Sequence, residues 1–314
     1  MSSNSSINTT LIVCGLLGVA GFCRSAFSAE KICEGQHVVL TFDDGPHNNN
    51  TPPILRALHD AGEDGESIPA TFYIVGKAIG TATYRKNNLN LGGQSGEEII
   101  SAIEKNPNWL IANHTKTHPD LAKLSRSDLE KEIEYFINEP KVSKAKESQN
   151  HFATFRAPFG SKNQMVLDRL AAHGYDHEMS WDLDSLDWAI DSGSAGYTEL
   201  KGASPEKKKE VLLQRIKDRL KDLCEQRKGA RDEPIVVLFH DIKATTGAAL
   251  PEILDYMKSV GVEFKGLNEV EKYSQAWVPT HAGSPARPPI TVKPKFRIET
   301  KNGRTTIEPA NQEH

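Results

Sequence analysis

Residues 38–46 read VVLTFDDGP, and residues 235–241 read IVVLFHD. Each is a continuously apolar, β-branched run that ends, with no spacer, in chemically active side chains. A strand apolar at consecutive positions is buried on both faces, the condition of a parallel sheet covered by helices. Outward from 38–46, further β-rich runs fall at Thr71–Val75 (TFYIV), Trp109–Ala112 (WLIA), Ala153–Phe155, Glu178–Trp181 and, briefly, Val262–Phe264. Helix signals lie between them. Thr51-Pro52 reads as an N-cap with proline at the first helical position. Ser95–Glu98 and Ser127–Glu130 fit the capping box, in which serine and glutamate satisfy each other's free N–H groups. Ser204-Pro205 opens a long helix with Leu212, Ile216, Leu220 and Leu223 along one stripe. Strands alternating with helices over residues 36–270 predict βα units. Seven such units favour an α/β barrel of the (β/α)7 type, with parallel strands, over an open sheet.

Composition is consistent with this. The chain has 314 residues, 38% hydrophobic and 25% charged, enough to bury a sizeable core. A formal net charge of −4 argues against nucleic acid as the partner, because phosphate binding needs a basic face. The one long apolar run, Leu11–Cys23, is 13 residues, short of the roughly 20 needed to span a bilayer. It matches the core of a signal peptide, with small residues at 26–29 offering cleavage after Ser28 or Ala29. The reading is a leader at 1–29, export to the periplasm or medium, and no stable membrane span once the leader is removed. An N-terminal anchor is the alternative, since no Lys or Arg precedes Leu11. Two cysteines then remain. Cys33 and Cys224 could bridge in an oxidising compartment, or stay two unrelated buried thiols.

Residues 30–276 are therefore the barrel. Within it, 77–96 is a polar, Gly- and Asn-rich insertion, long for a connection and so either disordered or functional. From 277 the chain turns proline-rich (VPTHAGSPARPPITVKP, 278–294). It then alternates around Asn302-Gly303, a strong hairpin signal that places Ile298 opposite Ile307. The 277–314 tail is expected to dock one apolar hairpin face on the barrel.

The informative pattern is where unusual polar residues fall. Asp43-Asp44 follows VVLTF, His114–His118 (HTKTH) follows WLIAN, and Arg156–Phe159 (RAPF) follows ATF. Asp184–Trp188 (DSLDW) follows MSWDL, and His240-Asp241 follows IVVLF. All five lie at carboxyl ends of expected strands, where barrel enzymes assemble their sites. His114 and His118 are four apart, so one turn of chain can point both imidazoles the same way. A carboxylate from Asp43-Asp44 would complete a two-nitrogen, one-oxygen set with open positions, hence a catalytic metal, with zinc the default. Adjacent residues on an extended segment point to opposite sides. One aspartate can thus ligate metal while the other stays free as a base.

TFDDGP (41–46), HTKTH (114–118), RAPF (156–159), DSLDW (184–188) and LFH (238–240) resemble, in order, the five motifs of the polysaccharide deacetylase family, the NodB-homology carbohydrate esterases. The resemblance implies a distorted (β/α) barrel that removes acetyl groups from polysaccharides with one divalent metal, Zn2+ first, with Co2+ or Ni2+ as alternatives. It implies Asp44, His114 and His118 as metal ligands, Asp43 as base and Arg156 as the residue orienting it. It further implies His240 as general acid with Asp187 as its partner, and Trp188 and Leu238 as walls of an acetyl-methyl pocket. Phe159 stands where the family often has tyrosine, at a position whose backbone N–H would serve an oxyanion.

The expected activity is removal of N-acetyl groups from N-acetylglucosamine in peptidoglycan, with chitin or chitooligosaccharide as the alternative polymer. Two other classes compete. A 2-His-1-carboxylate iron oxygenase would leave Arg156, Asp187 and His240 without a task. A non-catalytic sugar-binding protein would not need intact candidates for base, acid and all three ligands. The sequence does not fix an oligomeric state. Asp182 and Asp184 read as caps, and Trp109 and Trp181 as core, with Trp181 the alternative sugar platform.

Overall fold

The computed structural model describes residues 31–80, 95–138, 151–175, 177–228, 233–270, 296–301 and 304–309. The expected leader, most of the 77–96 insertion and the proline-rich 278–294 lie outside the described residues.

β1 (Gln36–Asp43) is the central strand. It pairs in parallel with β2 (Ala70–Ile74) on one side and β7 (Ile235–His240) on the other. β3 (Trp109–Asn113), β4 (His151–Phe155) and β5 (His177–Glu178) extend the sheet beyond β2, and β6 (Leu183–Asp184) flanks β7. The order β5-β4-β3-β2-β1-β7-β6 is the cyclic order of a barrel, with no ladder between β5 and β6 among the described residues. This is a distorted parallel α/β barrel left open at one seam.

The seventh strand is not the one the sequence suggests. Val262–Phe264 does form a strand, β8, but it pairs with the start of β1 on the edge opposite β7, Val38 having Phe264 on one side and Ile235 on the other. The seventh barrel place belongs to Leu183–Asp184, just past the single strand expected over 178–181, of which only Glu178 is in a strand, β5. Two two-residue strands carry too little periodicity to announce themselves. Between them Met179 is bonded to the end of β4, its N–H donating to the Phe155 carbonyl and its own carbonyl accepting from Arg156 Nε.

Helices cover the outside: α1 (Thr51–Asp60), α2 (Gly76–Gly80), α3 (Gly96–Glu104), α4 (Arg126–Asn138), α5 (Gln164–Ala172), α6 (Asp187–Ser192), α7 (Pro205–Gln226) and α8 (Ala244–Ser259). α3 starts with the expected capping box, Ser95 N–H donating to Glu98 Oε2 and Glu98 N–H to Ser95 Oγ. Ser204 caps α7, whose Leu212, Ile216, Leu220 and Leu223 are buried as expected. Two caps differ. α4 is capped by Ser125, whose Oγ accepts from Asp128 N–H, and not by Ser127. Thr51 does not cap α1; its hydroxyl donates to Asp241 instead.

The period of two along each strand sorts side chains between the two faces. Val38, Leu40 and Phe42 of β1, Phe72 and Ile74 of β2, and Val237 and Phe239 of β7 join the outer core under the helices. There Phe42 stacks between Phe72 (5.3 Å) and Phe239 (5.6 Å), its register partners on both neighbours. Each such pair adds about 0.5–1.5 kcal/mol beyond burial. Val39, Tyr73, Leu110, Ala112 and Val236 fill the barrel interior. On that same face, one step up, are Asp43 and His240, which register places side by side.

Cys33, just before β1, is bonded to Cys224 on α7, with Cα atoms 5.2 Å apart. Of the two readings open from sequence, the bridge is the one found. The hairpin forms as spaced: β9 (Phe296–Lys301) and β10 (Arg304–Pro309) are antiparallel with Ile298 opposite Ile307. No helix among the described residues is long and apolar enough to cross a membrane.

Candidate functional site

The five polar clusters meet at the carboxyl end of the barrel. Asp43, the last residue of β1, is buried; its Oδ1 accepts from Arg156 Nη1 at 2.7 Å. Asp43 Oδ2 and Asp44 Oδ1 lie 3.6 and 3.5 Å from the same atom, His114 Nε2. Strand alternation should send the two aspartates apart. It does not, because Asp44 has φ 80°, a left-handed conformation that aspartate tolerates better than most residues. The two carboxyls thus face one space but keep different partners.

His114 follows β3. Its Nδ1 donates to the Arg156 carbonyl at 2.7 Å, which fixes the tautomer and leaves Nε2 with a free lone pair. His118 Nε2 lies 3.1 Å from Asp44 Oδ1. Asp44 Oδ1 is buried and, among the described residues, receives no hydrogen bond. Ligand atoms of Asp44, His114 and His118 all lie within 4.8 Å of one another. Three acceptors converging, one of them buried and orphaned, is an arrangement that a cation resolves and that water or a proton satisfies only in part. The donor set therefore fits a divalent metal. Burial alone would raise the Asp44 carboxyl; positive charge on the facing imidazoles, in the place a cation would take, overcomes that and holds it well below the usual carboxylate range.

Arg156 is wholly buried. Nε donates to Met179 carbonyl, Nη1 to both Thr41 Oγ1 and Asp43, and the guanidinium lies 4.2 Å over the Tyr73 ring. Thr41 and Tyr73 were not singled out from the sequence. A period-two reading back from Asp43 finds Thr41, a lone hydroxyl in an apolar strand. Tyr73 sits beside Asp43 by strand register, which sequence does not display.

On the other side of β1, His240 ends β7. Asp187 Oδ1 bonds its Nδ1 at 2.6 Å, and Asp187 Oδ2 accepts from its N–H at 2.7 Å. Trp188 N–H and Thr246 Oγ1 also donate to Asp187. Burial disfavours a charged imidazole at His240, but Asp187 outweighs it and raises the group to about 9. It is therefore protonated at neutral pH.

Phe159 is 72% exposed and packs edge-on to His118 at 4.7 Å, and Trp188 is 37% exposed. Leu238 is buried two residues before His240, on the same strand face. Among the described residues seven non-glycines have positive φ, and five of them, Asp44, Thr115, His118, Phe159 and Leu186, lie in these loops. Such conformations collect where a site holds side chains in place.

Asp184 Oδ1 accepts from Leu186 N–H, a local cap as expected, whereas Asp182 is not a cap: its Oδ2 accepts from Val236 N–H on β7 and its Oδ1 from Arg227 Nη2. Trp109 is core; Trp181 is half-buried, 5.8 Å from the Arg156 guanidinium. A second grouping, Glu130, Glu134 and His173, joins α4 to α5, but Arg169 and His173 already pair with Glu130.

Residues 31–177 match the family described as polysaccharide deacetylase. The chain is 28% identical over 243 residues to a peptidoglycan-N-acetylglucosamine deacetylase of Listeria monocytogenes, covering 76% of this chain and 40% of that protein. It is 31% identical over 152 residues to a chitooligosaccharide deacetylase of Sinorhizobium fredii, covering 48% of this chain and 60% of that one. The chain thus spans less than two thirds of the length of these curated relatives, from 40% to 60%. Among solved structures, the chitin deacetylase of Colletotrichum lindemuthianum superposes with a TM-score of 0.57 at 22% identity, over 80% of this chain and 94% of that one. Over residues 31–177 this chain is thus similar to the polysaccharide deacetylase family, and its barrel and order of strands share the fold of the solved chitin deacetylase.

Proposed function

We propose that this protein is a metal-dependent hydrolase that removes N-acetyl groups from N-acetylglucosamine in a polysaccharide, peptidoglycan first. One observation carries the reading: three acceptor atoms of Asp44, His114 and His118 converge beside a second aspartate, Asp43, one of whose oxygens is held by an arginine.

Asp44, His114 and His118 would hold one divalent cation, Zn2+ by their N/O chemistry, with Co2+ or Ni2+ as alternatives. That cation, when bound, supplies Lewis acidity toward the amide carbonyl and the attacking water. Asp43 accepts the water's proton, and Arg156 fixes the oxygen it does not use, leaving Oδ2 for that task. His240 is charged and donates a proton to the departing sugar nitrogen, while Asp187 keeps the imidazole oriented and protonated. The Phe159 backbone N–H serves the oxyanion, a contact worth on the order of 3 kcal/mol. Trp188 and Leu238 wall the acetyl methyl. An iron oxygenase would use neither the Arg156–Asp43 pair nor the Asp187–His240 pair.

The Listeria relative's name supports peptidoglycan, and the rhizobial relative's name supports chitooligosaccharide as the second reading. The leader at 1–29 and a tail docking on the barrel complete the proposed organisation, with the protein acting outside the cytoplasm. The test is acetate release from peptidoglycan and from chitooligosaccharides by the Zn2+-loaded protein. Release that disappears in Asp43→Asn supports the reading; no acetate from either polymer with zinc bound overturns it.

A further inference from the structure

Asp241 and Thr51 have no part in the chemistry above, yet they lie against the turn that carries Asp44. Asp241 follows His240, and its N–H donates to the Asp43 carbonyl at 3.1 Å. Its side chain is wholly buried. Oδ2 accepts from Thr51 Oγ1 at 2.7 Å, and that hydroxyl in turn accepts from the His47 N–H at 2.8 Å. Beside it, Asn50 Nδ2 donates to the Ile242 carbonyl at 2.6 Å. The 44–51 segment is thereby tied to the turn after β7 at several points along its length.

Gly45 explains what the carboxyl does there. A Cβ at position 45 would fall 2.0 Å from Asp241 Oδ2 and 2.4 Å from Oδ1. Gly45 is not among the glycines with positive φ, so the glycine is required by space, and the Asp241 carboxyl is what fills that space. The arrangement is costly. Asp241 Oδ1 has no hydrogen-bond partner among the described residues, and a buried carboxyl with one oxygen unsatisfied destabilises a fold. Closing a loop needs no such group; an alanine and an unhindered turn would do it. Holding the residue before Gly45 in a left-handed conformation, against rigid support, is a stricter demand.

We propose that Asp241, through Thr51, is a positioning residue for Asp44: the carboxyl braces Gly45 and fixes the turn that aims Asp44 Oδ1 at the two imidazoles. The proposal rests on the reading of Asp44 as a cation ligand. Groups that support metal ligands from behind typically change affinity by about 10–100-fold when lost.

The experiment measures Zn2+ affinity by competition with a chromophoric chelator, together with the Co2+ absorption spectrum and the melting temperature of the metal-free protein. It compares wild type with Thr51→Val, Thr51→Ser and Gly45→Ala. Thr51→Val and Gly45→Ala should weaken Zn2+ by about 10–100-fold and alter the Co2+ bands, and Thr51→Ser should bind as wild type does. Should Gly45→Ala fail to fold, the Thr51 pair decides alone. Wild-type affinity and spectrum in Thr51→Val, whatever its melting temperature, would overturn the proposal while leaving the metal reading intact. A wild-type protein that takes up no Zn2+ or Co2+ overturns both.

Discussion

Asp44 and Asp187 are both aspartates within the barrel mouth, both shifted below the ordinary carboxylate range, and both next to histidines. Their surroundings differ. Asp187 accepts four hydrogen bonds, from His240 N–H, His240 Nδ1, Trp188 N–H and Thr246. Asp44 Oδ1 faces two imidazole nitrogens and receives none. The same residue type is thus finished by the protein on one side of β1 and left unfinished on the other. A carboxylate with every lone pair used orients a partner; one with a buried oxygen unused asks for a ligand from solution.

The sharpest way to break this contrast is at the unfinished side. Asp44→Asn should abolish Zn2+ uptake and with it turnover, read by metal stoichiometry after dialysis; retained stoichiometric zinc would end the distinction. Asp43→Asn should instead keep the zinc and lower kcat by roughly 10²–10⁴-fold, the usual worth of a general base. Losing both together would mean that the two aspartates do not divide the work.

The finished side is read by pH. His240 is raised from 6.5 to about 9, so activity that needs its proton should fall as pH rises through about 9. The stability contributed by that charge is complete below the unfolded value and disappears over the same rise. In Asp187→Asn the alkaline limb of kcat/KM should move down toward about 6.5. An unmoved limb would assign the titration to another group.

The disulfide is a control on both. Cys33→Ser should lower stability by about 2–5 kcal/mol in denaturant titration, with Zn2+ affinity unchanged. The smallest effect belongs to Phe159→Tyr. The ring is largely exposed, so kcat/KM should stay within about twofold, the scale of a surface change.

Much of this was legible without coordinates because the barrel's grammar is local. A parallel strand buried on both faces must be apolar, so VVLTF and IVVLF declare themselves, and polar residues at their ends declare the mouth. What stayed hidden was set by tertiary register or by one backbone angle. Tyr73 beside Asp43 and the bond from Thr51 to Asp241 each join residues far apart in the chain, and the same distance left the Cys33–Cys224 bridge one of two open readings. The left-handed turn at Asp44 reverses what alternation implies for its side chain. Leu183–Asp184 is a strand only because β7 is there to receive it.

Among the described residues the seam between β5 and β6 leaves two unzipped borders, each a strand of two residues. An unpaired strand normally offers neighbouring molecules a template for accretion. Among the described residues the template at each border is two residues long, too short to recruit one.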